Sequence, residues 1–165
     1  MPEDGATAPT VVPDWADIEA ILPHRGQMLL VNEVLELQGT TADIVAEAAI
    51  PENPFWREGH FPGNPVMPGV LILEMMAQAA GLLCALTLGR DTTGRGLLVE
   101  ADKVRFREEV RPGDVLQIRV SYLGHPRAGF WFFTASAWKK GNSGEPSLVA
   151  EVQKLTLWVE EQPAR

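Results

Sequence analysis

The stretch from Pro68 to Gly89 constrains this chain more than any other, because the residues between them, VLILEMMAQAAGLLCALTL, are apolar on every side. Pro68 suits the first position of a helix and Gly89 the residue just past its end. A helix apolar all round must be buried in protein or inserted in a bilayer. Glu74 and Gln78 near its middle weigh against the bilayer, where a central carboxylate is costly. The rest of the chain must therefore supply enough surface to hide one long helix.

The flanking segments read mainly as strands. Trp15, Ile18, Ile21 and Leu22 recur at helical spacing after Asp14 as a helix cap, and Pro23 stops that short amphipathic helix. Residues 28–37 and 41–50 read as two strands joined at Gln38-Gly39. Beyond the long helix and a glycine-rich link at residues 94–96, four strand-like runs follow at 97–107, 115–123, 130–139 and 148–159. In the second run Leu116, Ile118, Val120 and Tyr122 alternate with Gln117, Arg119 and Ser121, the pattern of a half-solvated antiparallel strand. This order predicts an α+β domain over residues 14–160, with an antiparallel sheet curled around the long helix and a loose tail at residues 1–13. Trp131, Phe132 and Phe133 read as core residues of the third run.

Composition narrows the function. The formal charge of −8 argues against a nucleic-acid binder, which needs a basic face. A single cysteine, Cys84, reads as a small core residue, and no His/Cys/Asp spacing suggests a metal site. No basic-then-apolar leader opens the chain, so a cytoplasmic location without membrane insertion is expected.

The densest chemistry lies just before and inside the long helix. Between Pro51 and Pro68 five prolines stiffen a loop that carries His60 in HFPGNPVMPG. Glu74 follows on the helix, and Gln78 lies four residues on, upon the same face. An ion pair or a solvent-grazing position is the ordinary explanation of such a carboxylate, and a surface site that of a loop histidine. Pro68-Gly69 opens the helix, where unpaired N–H groups and the dipole can hold an oxyanion. Base, acid and oxyanion donor suit proton removal beside a thioester carbonyl with loss of a hydroxyl from the next carbon. His60 would take the proton, the Gly69 amide would steady the enolate, and Glu74, kept protonated by burial, would donate to the leaving group. Lys103, Arg105 and Arg107 alternate along one strand and offer a basic face to an acidic partner; a plain solvated face explains them equally. His24 and Arg25 read as structural or helix-capping residues.

GHFPGNPVMPGVLILEMMAQAAG closely resembles the signature of 3-hydroxyacyl-(acyl-carrier-protein) dehydratases of the FabZ group, which are hotdog folds. Leu22-Pro23-His24-Arg25 with Leu29-Leu30-Val31, and Phe106-Arg107 through Arg111-Pro112-Gly113-Asp114, resemble that family's segments in the same order. The resemblance implies His60 and Glu74 as the catalytic pair and Gly69 as the amide that binds the thioester oxygen; Gln78, by its place on the Glu74 face of the helix, reads as lining the substrate site. It also implies an acyl carrier protein as partner, its phosphopantetheine carrying the substrate with no further cofactor. The two catalytic side chains meet across a dimer interface in the family, so at least a homodimer is expected, with a related hotdog subunit as a further option. Asn32 stands at a usual aspartate, Gly26-Gln27 replaces an aromatic-containing stretch, and residues 55–58 are a residue longer than usual; these bear on acyl length and pocket shape. A glutamate at 74, where dehydratase-isomerase relatives use aspartate, points to dehydration without isomerisation. A hotdog thioesterase and a non-catalytic acyl-binding relative stand as alternatives.

Overall fold

The computed structural model describes residues 15–39, 41–87 and 95–160. The expected tail at 1–13, the Asp14 cap and the Gly89 cap lie outside them. A short helix α1 (Trp15–Ile21) leads through one 3-10 turn (Gly26–Met28) into β1 (Glu33–Gln38) and β2 (Asp43–Ala49). The long helix α2 (Gly69–Thr87) follows, then β3 (Gly96–Asp102), β4 (Arg105–Phe106), β5 (Val115–Arg127), β6 (Phe130–Lys139) and β7 (Ser147–Val159). The strands form one antiparallel sheet in the order β1-β2-β5-β6-β7-β3, with β4 also on β7. The sheet wraps α2, which is the hotdog arrangement.

Side-chain size explains how closely the sheet can wrap. The inner face of central β5 carries Leu116, Ile118 and Val120, and its neighbours answer mostly with alanine. Ile118 stands between Ala46 of β2 and Ala137 of β6, and Leu116 pairs with Ala48. Large residues in one row with small ones beside them interdigitate with the helix and leave no ridge to hold it away. On α2 the residues Ile72, Met75, Met76, Ala79, Ala80, Leu82, Leu83 and Cys84 are all buried. By length and hydropathy this helix would pass for a membrane span, yet more than half of it is buried inside the fold. Trp131 and Phe133 join the core, while Phe132 faces the other side under the Lys154 ammonium, 5.2 Å from the ring centroid.

Three strand boundaries differ from the sequence expectation. The first strand begins at Glu33 rather than near Met28, because Gly26 adopts φ +60 and the backbone at Met28 and Leu30 is bonded by the Gln78 side chain instead of a neighbouring strand. The expected strand over 97–107 breaks at Lys103, whose φ of +52 ends β3 before β4 starts. Lys103, Arg105 and Arg107 therefore do not alternate along one strand face. The third difference is a tighter hairpin: β5 runs on to Arg127, leaving only residues 128–129 as the turn.

Gly129 in that turn has φ +79, and a Cβ there would lie 2.8 Å from Trp158 Nε1. Both facts exclude other residues. Gly129→Ala should lower unfolding free energy by roughly 1–3 kcal/mol in urea titration, with a changed tryptophan emission; an unaltered midpoint would contradict this packing.

Candidate active site

His60 is fixed by three polar contacts within its loop. Its backbone N–H donates to Trp56 O at 2.9 Å, its carbonyl accepts from Val66 N at 2.7 Å, and its Nδ1 lies 2.6 Å from Val66 O. A carbonyl can only accept, so Nδ1 carries the hydrogen and the neutral ring leaves its lone pair on Nε2. The adjoining Phe61–Asn64 turn is closed by backbone bonds of 3.1 and 2.9 Å. Pro62 and Gly63, the latter at φ +71, supply the two central positions of a type II turn. The Phe61 ring stacks on the imidazole with centroids 4.2 Å apart. Arg111 donates from Nη1 to Asn64 Oδ1 at 2.8 Å and ties this loop to the segment before β5. These contacts orient Nε2 as a proton acceptor.

Glu74 projects from α2 into a different environment. Its Oε1 accepts from Gln78 Nε2 at 2.9 Å and lies 3.0 Å from His24 Nε2, and its side chain is 25% exposed. Burial pushes its carboxyl upward, but the His24 hydrogen bond, the Gln78 hydrogen bond and the His24 charge together outweigh that and hold it below its ordinary value of 4.5. The expectation that burial keeps Glu74 protonated is thus corrected for the unliganded chain: two donors prevail over desolvation. Gln78 is 1% exposed and fully used, donating also to Met28 O at 2.7 Å and accepting from Leu30 N at 2.9 Å. Its geometry is that of a clamp on Glu74, and it also lines the cavity that starts there.

Gly69 is the first residue of α2, where N–H groups lack a carbonyl one turn earlier. A Cβ there would meet the Phe106 ring at 3.0 Å. Beside it lies an open depression of about 480 Å³ flanked by Val70 and Phe106. A narrow cavity of about 50 Å³ starts at Glu74 and His24 and runs past Ala77, Gly81 and Cys84 to Leu98 on β3. The sequence departures meet elsewhere: Gly26, Gln27, Phe55 and Trp56 line one cleft of about 270 Å³ that reaches Met75. Asn32 there keeps an acceptor, its Oδ1 taking the Ala49 N–H at 2.6 Å.

Within one chain, no hydrogen bond or ion pair joins His60 to Glu74 among the described residues. Lys103, Arg105 and Arg107 are exposed, and Arg107 pairs with Glu151 at 2.6 Å. Arg25 caps α1, donating to Leu22 O at 2.7 Å and Glu19 O at 2.8 Å, as its position after the helix suggests. His24 makes a contact, to Glu74 Oε1, that sequence reasoning did not find. Its neighbour in the site lies on a distant helix, and no local periodicity signals such a pair.

A FabA-like domain model matches residues 22–143, more than half of the chain. The chain is 41% identical over 138 residues to a 3-hydroxyacyl-(acyl-carrier-protein) dehydratase FabZ of Roseobacter denitrificans, covering 82% of this chain and 87% of that one. It is 37% identical over 153 residues to the enzyme of that name from Nitratiruptor sp., covering 89% and 98%. Among solved structures, the dehydratase heterocomplex ApeI:P from Xenorhabdus doucetiae superposes with a TM-score of 0.70 at 19% identity, over 88% of this chain and 91% of that one. A hypothetical thioesterase with coenzyme A from Streptococcus pneumoniae superposes at 0.56 with 15% identity, over 80% and 88%. At those identities the superpositions speak for the fold alone, whereas the sequence matches carry descent. This chain belongs to the FabA-like family and is a FabZ-like hotdog dehydratase.

Proposed function

We propose that the chain dehydrates (3R)-hydroxyacyl thioesters on acyl carrier protein to trans-2-enoyl thioesters, in fatty-acid or polyketide chain building. The observation that carries this reading is the His60 imidazole, with Nδ1 tied to a carbonyl and Nε2 left as the acceptor. Nε2 takes the proton from C2, made acidic by the thioester carbonyl. The Gly69 N–H, at the positive end of α2, receives the enolate charge. The C3–O bond then breaks and the departing hydroxyl takes a proton from Glu74, leaving as water. Glu74 starts ionised, so the acid form belongs to the loaded site, where an acyl chain displaces water from its exposed oxygen and desolvation gains weight. His60 then releases its proton to solvent and Glu74 regains one from solvent, which resets the pair.

Catalysis requires His60 and Glu74 to meet, and we assign that meeting to two copies of the chain. β3 is the edge of the sheet, and Leu97, Leu98 and Val99 on it are exposed at 53%, 40% and 53%. An apolar edge with unpaired backbone groups invites a second strand. A homodimer joined there covers this edge beside the cavity that leads to Glu74. Lys103 and Arg105, exposed and without an ion pair among the described residues, supply positive charge for an acidic carrier protein. The protein would then work in the cytoplasm, where such carriers serve chain building.

Intact-protein mass spectrometry of a 3-hydroxyacyl-loaded carrier should show loss of one water with the unmodified chain. His60→Ala should slow this by about 100-fold or more. Release of the whole acyl group would instead identify a thioesterase, and no change over several acyl lengths a binding protein. Gly69→Ala should also reduce turnover while the fold persists, because its methyl group would push Phe106 off the helix start; full activity would remove Gly69 from the mechanism.

The ionisation of Glu74 gives a separate test. A folded-state carboxyl below its unfolded value contributes stability above the ordinary value and loses it as pH falls through the folded one. The stability advantage of the unmodified, unliganded protein over Glu74→Gln should therefore shrink as pH drops below 4.5. A difference constant with pH in denaturant titrations would refute that ionisation state.

A further inference from the structure

We propose that His24 is a positioning residue for Glu74: its imidazole N–H, delivered by the loop after α1, holds Oε1 of the carboxylate and leaves Oε2 as the working oxygen. The inference rests on the reading of Glu74 as a participant in dehydration. Both contacts to Glu74 among the described residues land on Oε1, from His24 Nε2 at 3.0 Å and Gln78 Nε2 at 2.9 Å. Two donors on one oxygen fix the rotamer of a carboxylate and leave the other oxygen open to a ligand.

The supports of these donors are themselves braced. Arg25 anchors the loop through the carbonyls of Glu19, Leu22 and His24. Gln78 grips the same segment at Met28 and Leu30. Thus α1, the loop and α2 converge on one carboxylate oxygen.

The opposite ring atom tells which nitrogen carries the hydrogen toward Glu74. Nδ1 is buried and has no hydrogen-bond partner. A second proton there would be a buried unsatisfied donor, whereas a bare lone pair costs less. The geometry therefore places a ring hydrogen on Nε2, aimed at Glu74. Arg25 is turned to backbone carbonyls, so Glu74 is the charged side chain that His24 meets among the described residues. His24 thus supplies a directed hydrogen bond to Oε1.

Glutamine reproduces a donor near Nε2 without a ring or a charge, and alanine removes it. Turnover of a 3-hydroxyacyl-loaded carrier by the full chain should fall on the order of 100-fold in kcat for His24→Ala. KM should stay within about twofold, since ground-state binding is not what His24 provides. A folded His24→Gln should recover most of kcat. In parallel, carbon NMR titration of the Glu74 carboxyl in unliganded protein, assigned with Glu74→Gln, should move upward in His24→Ala and less in His24→Gln. Unchanged kcat in His24→Ala, or a folded His24→Gln as impaired as His24→Ala, would overturn the proposal. Because the titration needs no turnover, it judges the His24 contact separately. An unmoved Glu74 overturns the inference whatever the activity, while a shifted Glu74 in a chain that dehydrates no substrate overturns the dehydratase reading and keeps the contact.

Discussion

Burial of α2 is the constraint on which the rest of the structure depends. A helix with Ile72, Met75, Met76, Leu82 and Leu83 all fully enclosed needs cover from several directions. One curved sheet provides most of it, and the alanines at 46, 48, 135 and 137 let that sheet come close. Each enclosed large side chain contributes about 1.5–3 kcal/mol. A carboxylate on the same helix works against this gain unless donors meet it. Glu74 is accommodated because the segment between α1 and β1 closes over the uncovered side of α2 and brings a histidine with it. The packing of the helix and the construction of the site are thus one problem with one solution.

What the sequence disclosed follows from the range of the interactions involved. The span of α2, the stiff His60 loop and the alternation of β5 are set by neighbours within a few residues, and they are legible as periodicity and punctuation. The start of β1 was not, because Met28 and Leu30 are bonded by a side chain from a helix far along the chain. The break at Lys103 was not either, since a lone positive φ in a non-glycine residue has no strong sequence signal. Gln78 was legible as a member of the Glu74 face, but its saturation by Met28, Leu30 and Glu74 is a tertiary fact. So is the ionisation of Glu74, where local reasoning saw only burial.

The site also divides its labour between rigid and open atoms. On His60, Nδ1 is spent on Val66 O and Nε2 is left over. On Glu74, Oε1 is spent on His24 and Gln78. In both residues one polar atom fixes the geometry and leaves the other free for the proposed reaction, already oriented. The helix start at Gly69 follows the same logic, because a ring packed against a bare Cα holds the backbone whose N–H the proposed mechanism uses.

The proposed pairing of two copies fits this arrangement. His60 and Glu74, each locked by its own local network, share no hydrogen bond or ion pair among the described residues. The exposed apolar edge at Leu97, Leu98 and Val99 lies beside the cavity that begins at Glu74. If that edge were covered by a second strand, the cavity would gain a wall and the carboxylate would lose water. Desolvation, already the largest influence on Glu74, would then grow while its donors stayed fixed. Under the proposed reading, such cover would favour the acid form that a leaving hydroxyl needs.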